Sequence, residues 1–289
     1  MLRRLQCNAH AVTEVGFARS CERATPRLGG LGGAVCAFGQ NRVAGGLYPE
    51  VSLINHACEP NVSYQFHKGF LIIRCTRDLA EGDEVCACYG PHYLHNPSTE
   101  DRRRALKEQY FFVCQCRHCL LGEPPQLSAS QSERWLGLVE KLNGEHSVRR
   151  IGGLIDKLRA LSRGIILFPE GLTFGSVLDS TGQRLLFEAG STDDASVKLG
   201  LRLLYESMAW VRDRFGPTST EYAWELGKLA SLGDVGDLFE ASDFNLPSTT
   251  TQAREVFRAI MVLHYGEEEA ERILSPLLDE CGHPSASAL

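Results

Sequence analysis

Between residues 131 and 279 apolar positions recur at helical spacing. The pattern separates into helices over 131–143, 149–162, 195–214, 219–231, 250–264 and 266–279, with a less regular stretch at 164–193. Two runs echo one another, "WVRDRFGPTSTEYAWELGKLA" and "IMVLHYGEEEAERILSPLL". In each, an apolar helix ends in aromatic-Gly and a second helix follows. Gly216 and Gly266 are the expected terminators, and Pro217 reinforces the first. Paired helices of this kind stack into an array that needs several units to bury a continuous core.

The first part of the chain has a different pattern. Residues 1–15 place Leu2, Leu5, Cys7, Ala9 and Val12 on an imperfect apolar helical face. Residues 16–46 contain eight glycines and few large apolar side chains, which predicts a loop or flexible insertion. Its "GGLGGA" core lacks the spacing of a phosphate-binding loop and has no strand before it. From 47 to 90 the runs "NVSYQF", "GFLIIRCT" and "DEVCACYG" predict strands, separated by the turn signals "HKG" and "AEGD". Ser98, with Asp101 three residues on, begins a capping box for the helix "DRRRALKEQY". A Pro/Ser-rich linker at about 120–130 then leads into the helical half.

Composition sets limits on function. The chain has 289 residues, 43% hydrophobic and 23% charged, enough for two globular domains. A formal charge of −6 argues against a broad nucleic-acid-binding face and tolerates a basic peptide substrate. No run is long and apolar enough for a membrane span or a secretory signal, so no membrane association is expected. The 11 cysteines are then expected in a reducing compartment, as free thiols or metal ligands.

The strongest isolated chemical signal is "CQCRHC", which brings Cys114, Cys116 and Cys119 within six residues. Three reduced thiolates suit zinc, and a tetrahedral structural site needs a fourth ligand. Local spacing leaves Cys58, Cys86, Cys88 and His118 as candidates. Upstream, "SLINHACEPN" taken alone reads as a buried strand ending in a polar turn.

Taken together, "NHACEPN", the strands, "CYG" and "YFFVCQCRHC" resemble the C-terminal half of a SET domain with its post-SET zinc site. More narrowly they resemble the SMYD family, lysine methyltransferases that join SET to a helical C-terminal domain. The likeness covers "LQCNAHAVTEV", residues 47–119 and, more loosely, the helical half. It implies an α+β protein: a partial SET β-fold with a post-SET zinc site, followed by an all-α, TPR-like helical-repeat domain. The expected organisation is a helix at 1–15, a Gly-rich loop at 16–46, the C-terminal half of SET at 47–95, a zinc-binding segment at 96–120 and helices over 131–289.

The resemblance also implies roles. Asn55 and His56 would hold S-adenosylmethionine, with Ser52 and Ile54 beside it, Cys7 and Asn8 as further contacts and Phe112 against the adenine. Tyr89 matches the catalytic tyrosine, and Tyr110 matches a wall of the lysine channel. His10 stands where several relatives carry a channel Phe. Cys58 would join Cys114, Cys116 and Cys119 around structural zinc. These residue types suit methyl transfer from a sulfonium to a lysine amine. An aromatic channel favours the neutral, nucleophilic amine by desolvation, and a fixed tyrosine hydroxyl orients it. The implied partner is a protein with a target lysine, histone or non-histone, in the cytoplasm or nucleus.

The family's N-terminal SET strands and MYND finger would precede the segment matched at "MLRRLQCNAH". A chain without them is expected to have a cofactor cavity lacking one wall. Two readings follow: a SMYD-type protein-lysine methyltransferase or the part of one present here, and a non-catalytic zinc-stabilised scaffold whose helices bind a partner peptide.

Overall fold

The computed structural model describes residues 8–18, 37–67, 69–188, 194–231, 244 and 246–279. Cys7, the "GGLGGA" run and most of the Gly-rich stretch lie outside them.

Strand β1 (Ala9–Ala18) pairs antiparallel with β2 (Ala37–Leu47), from Ala9 opposite Leu47 to Ala18 opposite Ala37, with a bulge between Val12 and Thr13. This corrects two expectations. The helix expected over 1–15 is a strand from residue 9 onward, and both described ends of the 16–46 "loop" are strand. The spacing of Leu2, Leu5, Ala9 and Val12 fits a helix. However, Ala9, Ala11, Thr13, Val15 and Phe17 also alternate at period two, with β-branched and aromatic residues towards the end. Pairing with β2 decides between the two patterns.

The remaining strands are short. β3 (Asn55–His56) runs parallel to β6 (Cys86–Ala87). Between them, β4 (Val62–His67) and β5 (Phe70–Cys75) form the expected hairpin, in register from Val62 opposite Cys75 to His67 opposite Phe70. "DEVCACYG" is therefore strand only at its centre, because its partner β3 offers two residues. Asn61 supports this crossing with its side chain, donating to Glu84 O (2.8 Å) and accepting from Cys86 N–H (2.8 Å).

Helix α1 (Thr99–Tyr110) begins at Ser98, whose Oγ accepts from Asp101 N–H at 3.2 Å. The Glu123 carboxylate accepts from Thr99 N–H (3.1 Å) and Glu100 N–H (2.7 Å), so three N-terminal donors are satisfied. The short α2 (Arg117–Leu120) closes the cysteine-rich loop.

The helical region comprises α3 (Ala129–Asn143), α4 (Val148–Ser162), α5 (Phe174–Glu188), α6 (Asp194–Phe215), α7 (Thr220–Ser231), α8 (Thr250–Tyr265) and α9 (Glu267–Asp279). The sequence pattern missed α5, whose Gly, Ser and Thr residues lower helix propensity. Its buried face is nevertheless helical: Phe174, Val177, Leu178, Thr181 and Leu185. A Cβ at Gly182 would lie 2.8 Å from Gly200 O, so α5 and α6 meet backbone to backbone. The glycine that weakens the pattern is what allows the close crossing. Gly216 (φ 97°) and Gly266 (φ 82°) end α6 and α8 in the left-handed region, donating to Arg212 O and Val262 O at 2.8 Å. One core gathers around Trp135, Ile151, Ile155, Leu158 and Leu178; another forms around Leu226, Phe257, Met261 and Ile273. Among the described residues no helix is long and apolar enough to cross a membrane.

The β-rich part meets the helices along β4 and α8. His95 Nε2 lies 2.6 Å from Glu221 Oε1 and His67 Nε2 lies 3.5 Å from Glu268 Oε2. A cavity of about 510 Å³ lies along this seam, with Tyr64, Cys88, His92, Glu221 and His264 among its walls.

Candidate active site and cysteine cluster

The sharp turn after β3 and the loop between α1 and α2 bring four thiols together. The sulfurs of Cys58, Cys114, Cys116 and Cys119 all lie within 4.8 Å of one another. Cys58 Sγ is 3.8 Å from Cys114 Sγ and 3.6 Å from Cys119 Sγ. Four thiolates bonded at ~2.3 Å around a tetrahedral ion stand about 3.8 Å apart, so the spacing fits zinc. Cys58, Cys114 and Cys119 are buried, as a closed structural site requires. The other fourth-ligand candidates are elsewhere. Cys86 and Cys88 are outside the cluster, and His118 reaches Glu59 Oε2 at 2.9 Å while stacking on Tyr93. Burial, then the neighbouring thiols, pushes the Cys58 thiol up; burial lifts Cys114 to about 12. For Cys116 burial is outweighed by hydrogen bonds from the Cys58 and Cys119 backbone, which bring it down to about 7. A bound dication reverses this balance and favours thiolate at every position.

His56 connects the cluster to the tyrosines. Its Nδ1 accepts from Tyr89 N–H at 3.0 Å, which places the proton of the neutral ring on Nε2, 3.4 Å from Cys58 Sγ. Burial, reinforced by the Arg102 charge, lowers the pKa of His56 to about 4 and keeps the ring neutral. The Tyr89 hydroxyl donates to Ile54 O at 2.5 Å, and Tyr110 Oη donates to Tyr89 O at 3.0 Å. The two rings lie 4.9 Å apart, and Phe112 packs on both Tyr89 and His56. Burial raises the Tyr89 pKa, so it is present as the phenol.

Tyr89 and Tyr110 wall a cavity of about 980 Å³, together with His10, Ser52 and Tyr64. Ser52 Oγ lies 3.0 Å from Tyr48 O and 3.5 Å from Asn8 O. The sequence-derived set therefore divides three ways. His10, Ser52, Tyr89 and Tyr110 face the cavity. Ile54, His56 and Phe112 brace Tyr89 from behind. Asn55 is exposed and donates Nδ2 to Glu84 Oε1 at 2.6 Å, while Asn8 contributes its carbonyl to Ser52.

Sequence reasoning missed Tyr64. With Cys88 it is one of two residues lining both this cavity and the one along the helical seam. Its hydroxyl is buried without a hydrogen-bond partner, and burial pushes its pKa up to about 12. The alternation in "NVSYQF" puts Tyr64 and Phe66 on one strand face, which was the available signal.

The geometry can be set against known proteins. The SET domain family model matches residues 20–90. Protein-lysine N-methyltransferase SMYD4 of Mus musculus is 35% identical over 305 residues, covering 92% of this chain and 35% of the relative. The Homo sapiens SMYD4 is 27% identical over 337 residues, 99% of this chain and 38% of the relative. Histone-lysine N-methyltransferase SMYD3 of Homo sapiens is 39% identical over 85 residues, 29% of this chain and 19% of the relative. The chain thus spans about a third of the length of the SMYD4 relatives it matches. A SET-domain match combined with likeness to SMYD4 along nearly the whole chain makes it similar to the SMYD proteins.

Proposed function

We propose that this chain carries the methyl-transfer tyrosines and the zinc centre of a protein-lysine N-methyltransferase, with the helical region as a TPR-like domain. The observation that carries the reading is the continuous link from Cys58 through His56 to Tyr89 and Tyr110 at the wall of one cavity. That cavity, about 980 Å³, is at the upper end of the roughly 300–1,000 Å³ typical of small-molecule sites. S-adenosylmethionine, when bound there, would supply an electrophilic methyl group.

The chain's own residues account for the rest. Tyr89 donates its proton to Ile54 O, so its phenol oxygen is left as an acceptor; Tyr110 donates to Tyr89 O and its oxygen also accepts from Gln109 Nε2 at 3.2 Å. An acceptor that holds an N–H of the substrate amine leaves the nitrogen lone pair free to attack. The Tyr89 oxygen would also suit weak C–H contacts from a polarised methyl. The aromatic walls favour the neutral amine by withholding solvent. Tyr64 adds a hydroxyl whose hydrogen bond is unmade in the described structure. Cys58, Cys114, Cys116 and Cys119 would hold structural zinc, and through His56 they fix Tyr89.

One observation favours a second reading, a zinc-stabilised scaffold that binds partner peptides on its helices: the Asn55 amide is engaged by Glu84 rather than turned to the cavity. Calorimetric titration of the zinc-loaded protein with S-adenosylmethionine separates the two. Saturable binding is expected of the methyltransferase. A folded, zinc-containing chain that takes up no cofactor overturns that reading in favour of the scaffold.

A further inference from the structure

Arg102 is among the most deeply buried side chains of the described residues, 2% exposed, at the end of the first turn of α1. Its Nη1 donates to Asn96 O (2.9 Å) and to Pro97 O. Its Nη2 faces Thr99 Oγ1 (3.0 Å), His118 O (3.4 Å) and Cys119 Sγ (3.6 Å). Nε has no hydrogen-bond partner, and among the described residues no carboxylate pairs with the guanidinium. A guanidinium does not give up its proton, and a charge taken out of water requires an opposite charge nearby. Carbonyls and a hydroxyl take hydrogen bonds from Nη1 and Nη2 but supply no counter-charge. The remaining neighbour is sulfur.

We propose that Arg102 is the counter-ion of the four-cysteine centre, a positioning residue that holds Cys119 Sγ and offsets one charge of the metal–thiolate cluster. The proposal rests on reading that cluster as a zinc site. Four thiolates around one divalent ion leave two negative charges, and a buried cation against one sulfur reduces that excess. The contact also has a consequence along the chain. Arg102 lies on the helix that ends at Tyr110, so the centre is fixed to the tyrosine pair through α1 as well as through His56.

Arg102→Gln and Arg102→Lys test the role in the full chain, because both keep a long polar side chain and only Lys keeps the charge. Release of zinc to a chromogenic chelator should be at least ~10-fold faster in R102Q, with R102K closer to the parent. In the cobalt(II)-loaded protein, the thiolate-to-metal charge-transfer band should move to lower energy in R102Q, because its sulfurs are more electron-rich, and hold its position in R102K. Parental release rates and band in R102Q, even with a lowered Tm, would overturn the proposal and leave Arg102 as a loop brace. If R102Q does not fold, the R102K spectrum decides: a parental band supports the role and a displaced one overturns it. A parent chain that binds neither ion overturns the zinc reading and this proposal together, whereas failure of the Arg102 variants alone leaves the zinc reading standing.

Discussion

Around the NHAC turn and α1, the most deeply buried side chains are Cys58, Arg102, Leu106, Cys114 and Cys119. Across the helical region they are Trp135, Leu142, Ile151, Leu178, Leu226 and Phe257. The first region is built from two-residue strands, one hairpin, the 12-residue α1 and the one-turn α2, and it converges on sulfur. The second distributes its stability over long amphipathic faces. A few point contacts can place a tyrosine hydroxyl against a particular carbonyl, but they leave little redundancy. Apolar faces are redundant and carry less chemistry.

The largest expected effect removes the convergence point. Structural zinc contributes on the order of 10 kcal/mol to small metal-stabilised units at neutral pH. Cys58→Ser, or chelation of the parent, should abolish amide-exchange protection over residues 52–121 and leave it over 129–188 and 194–229. If the helices lose protection at the same time, the two regions are one cooperative unit and the contrast fails.

Phe257→Ala is the reciprocal experiment. The ring is fully buried in the core of α7, α8 and α9, and its deletion should cost about 3–5 kcal/mol. Urea unfolding measures the loss, while zinc stoichiometry should remain at the parental value. A variant that loses its zinc would show that the helices support the cysteine site directly.

The seam between the regions should respond to pH. His92 faces His95, Glu221, Glu59 and His118, and burial, then the His95 charge, lowers its pKa to about 4. An unfolded histidine titrates near 6.5. Stability is therefore full above about pH 6.5 and falls as pH drops towards 4, where the unfolded chain binds a proton that the folded one refuses. His92→Gln should flatten the decline of Tm between pH 7 and pH 5. An identical slope in the variant would place the acid sensitivity elsewhere.

How much of this was legible in the sequence depended on the length of the pattern. Long helical faces showed themselves, except α5, where the glycine used for close crossing weakened the period. The β4–β5 hairpin was legible from its alternation. The strand β1 was not, because positions 2, 5, 9 and 12 fit a helix and its partner β2 lies inside the Gly-rich stretch that read as a loop. At the site, Cys58 could be chosen as the fourth thiol only through the family resemblance, because local spacing left four candidates. Tyr64 had only the alternation of its strand as a signal, and Arg102 and the Asn55–Glu84 contact have no local signature. Each depends on what the fold brings opposite the side chain.

The smallest effect makes the most direct comparison, because the same substitution exists in both regions. Ser98 caps α1 and Ser128 caps α3, each accepting from the backbone N–H three residues on, at 3.2 and 3.3 Å. Ser→Ala at such a cap costs about 1 kcal/mol. At α3 the loss should remain local, because the Trp135, Leu138 and Leu142 face holds the helix in place. At α1, Glu123 still satisfies two N–H groups, so the helix should persist, but its first turn also carries Arg102, which Thr99 Oγ1 accepts from, against Cys119 Sγ. Ser98→Ala should therefore speed zinc release to a chelator by a few-fold, and Ser128→Ala should not change it, although the two lose similar stability in urea. Equal release rates in both variants would show that a cap at the cysteine site acts as locally as a cap among the helices.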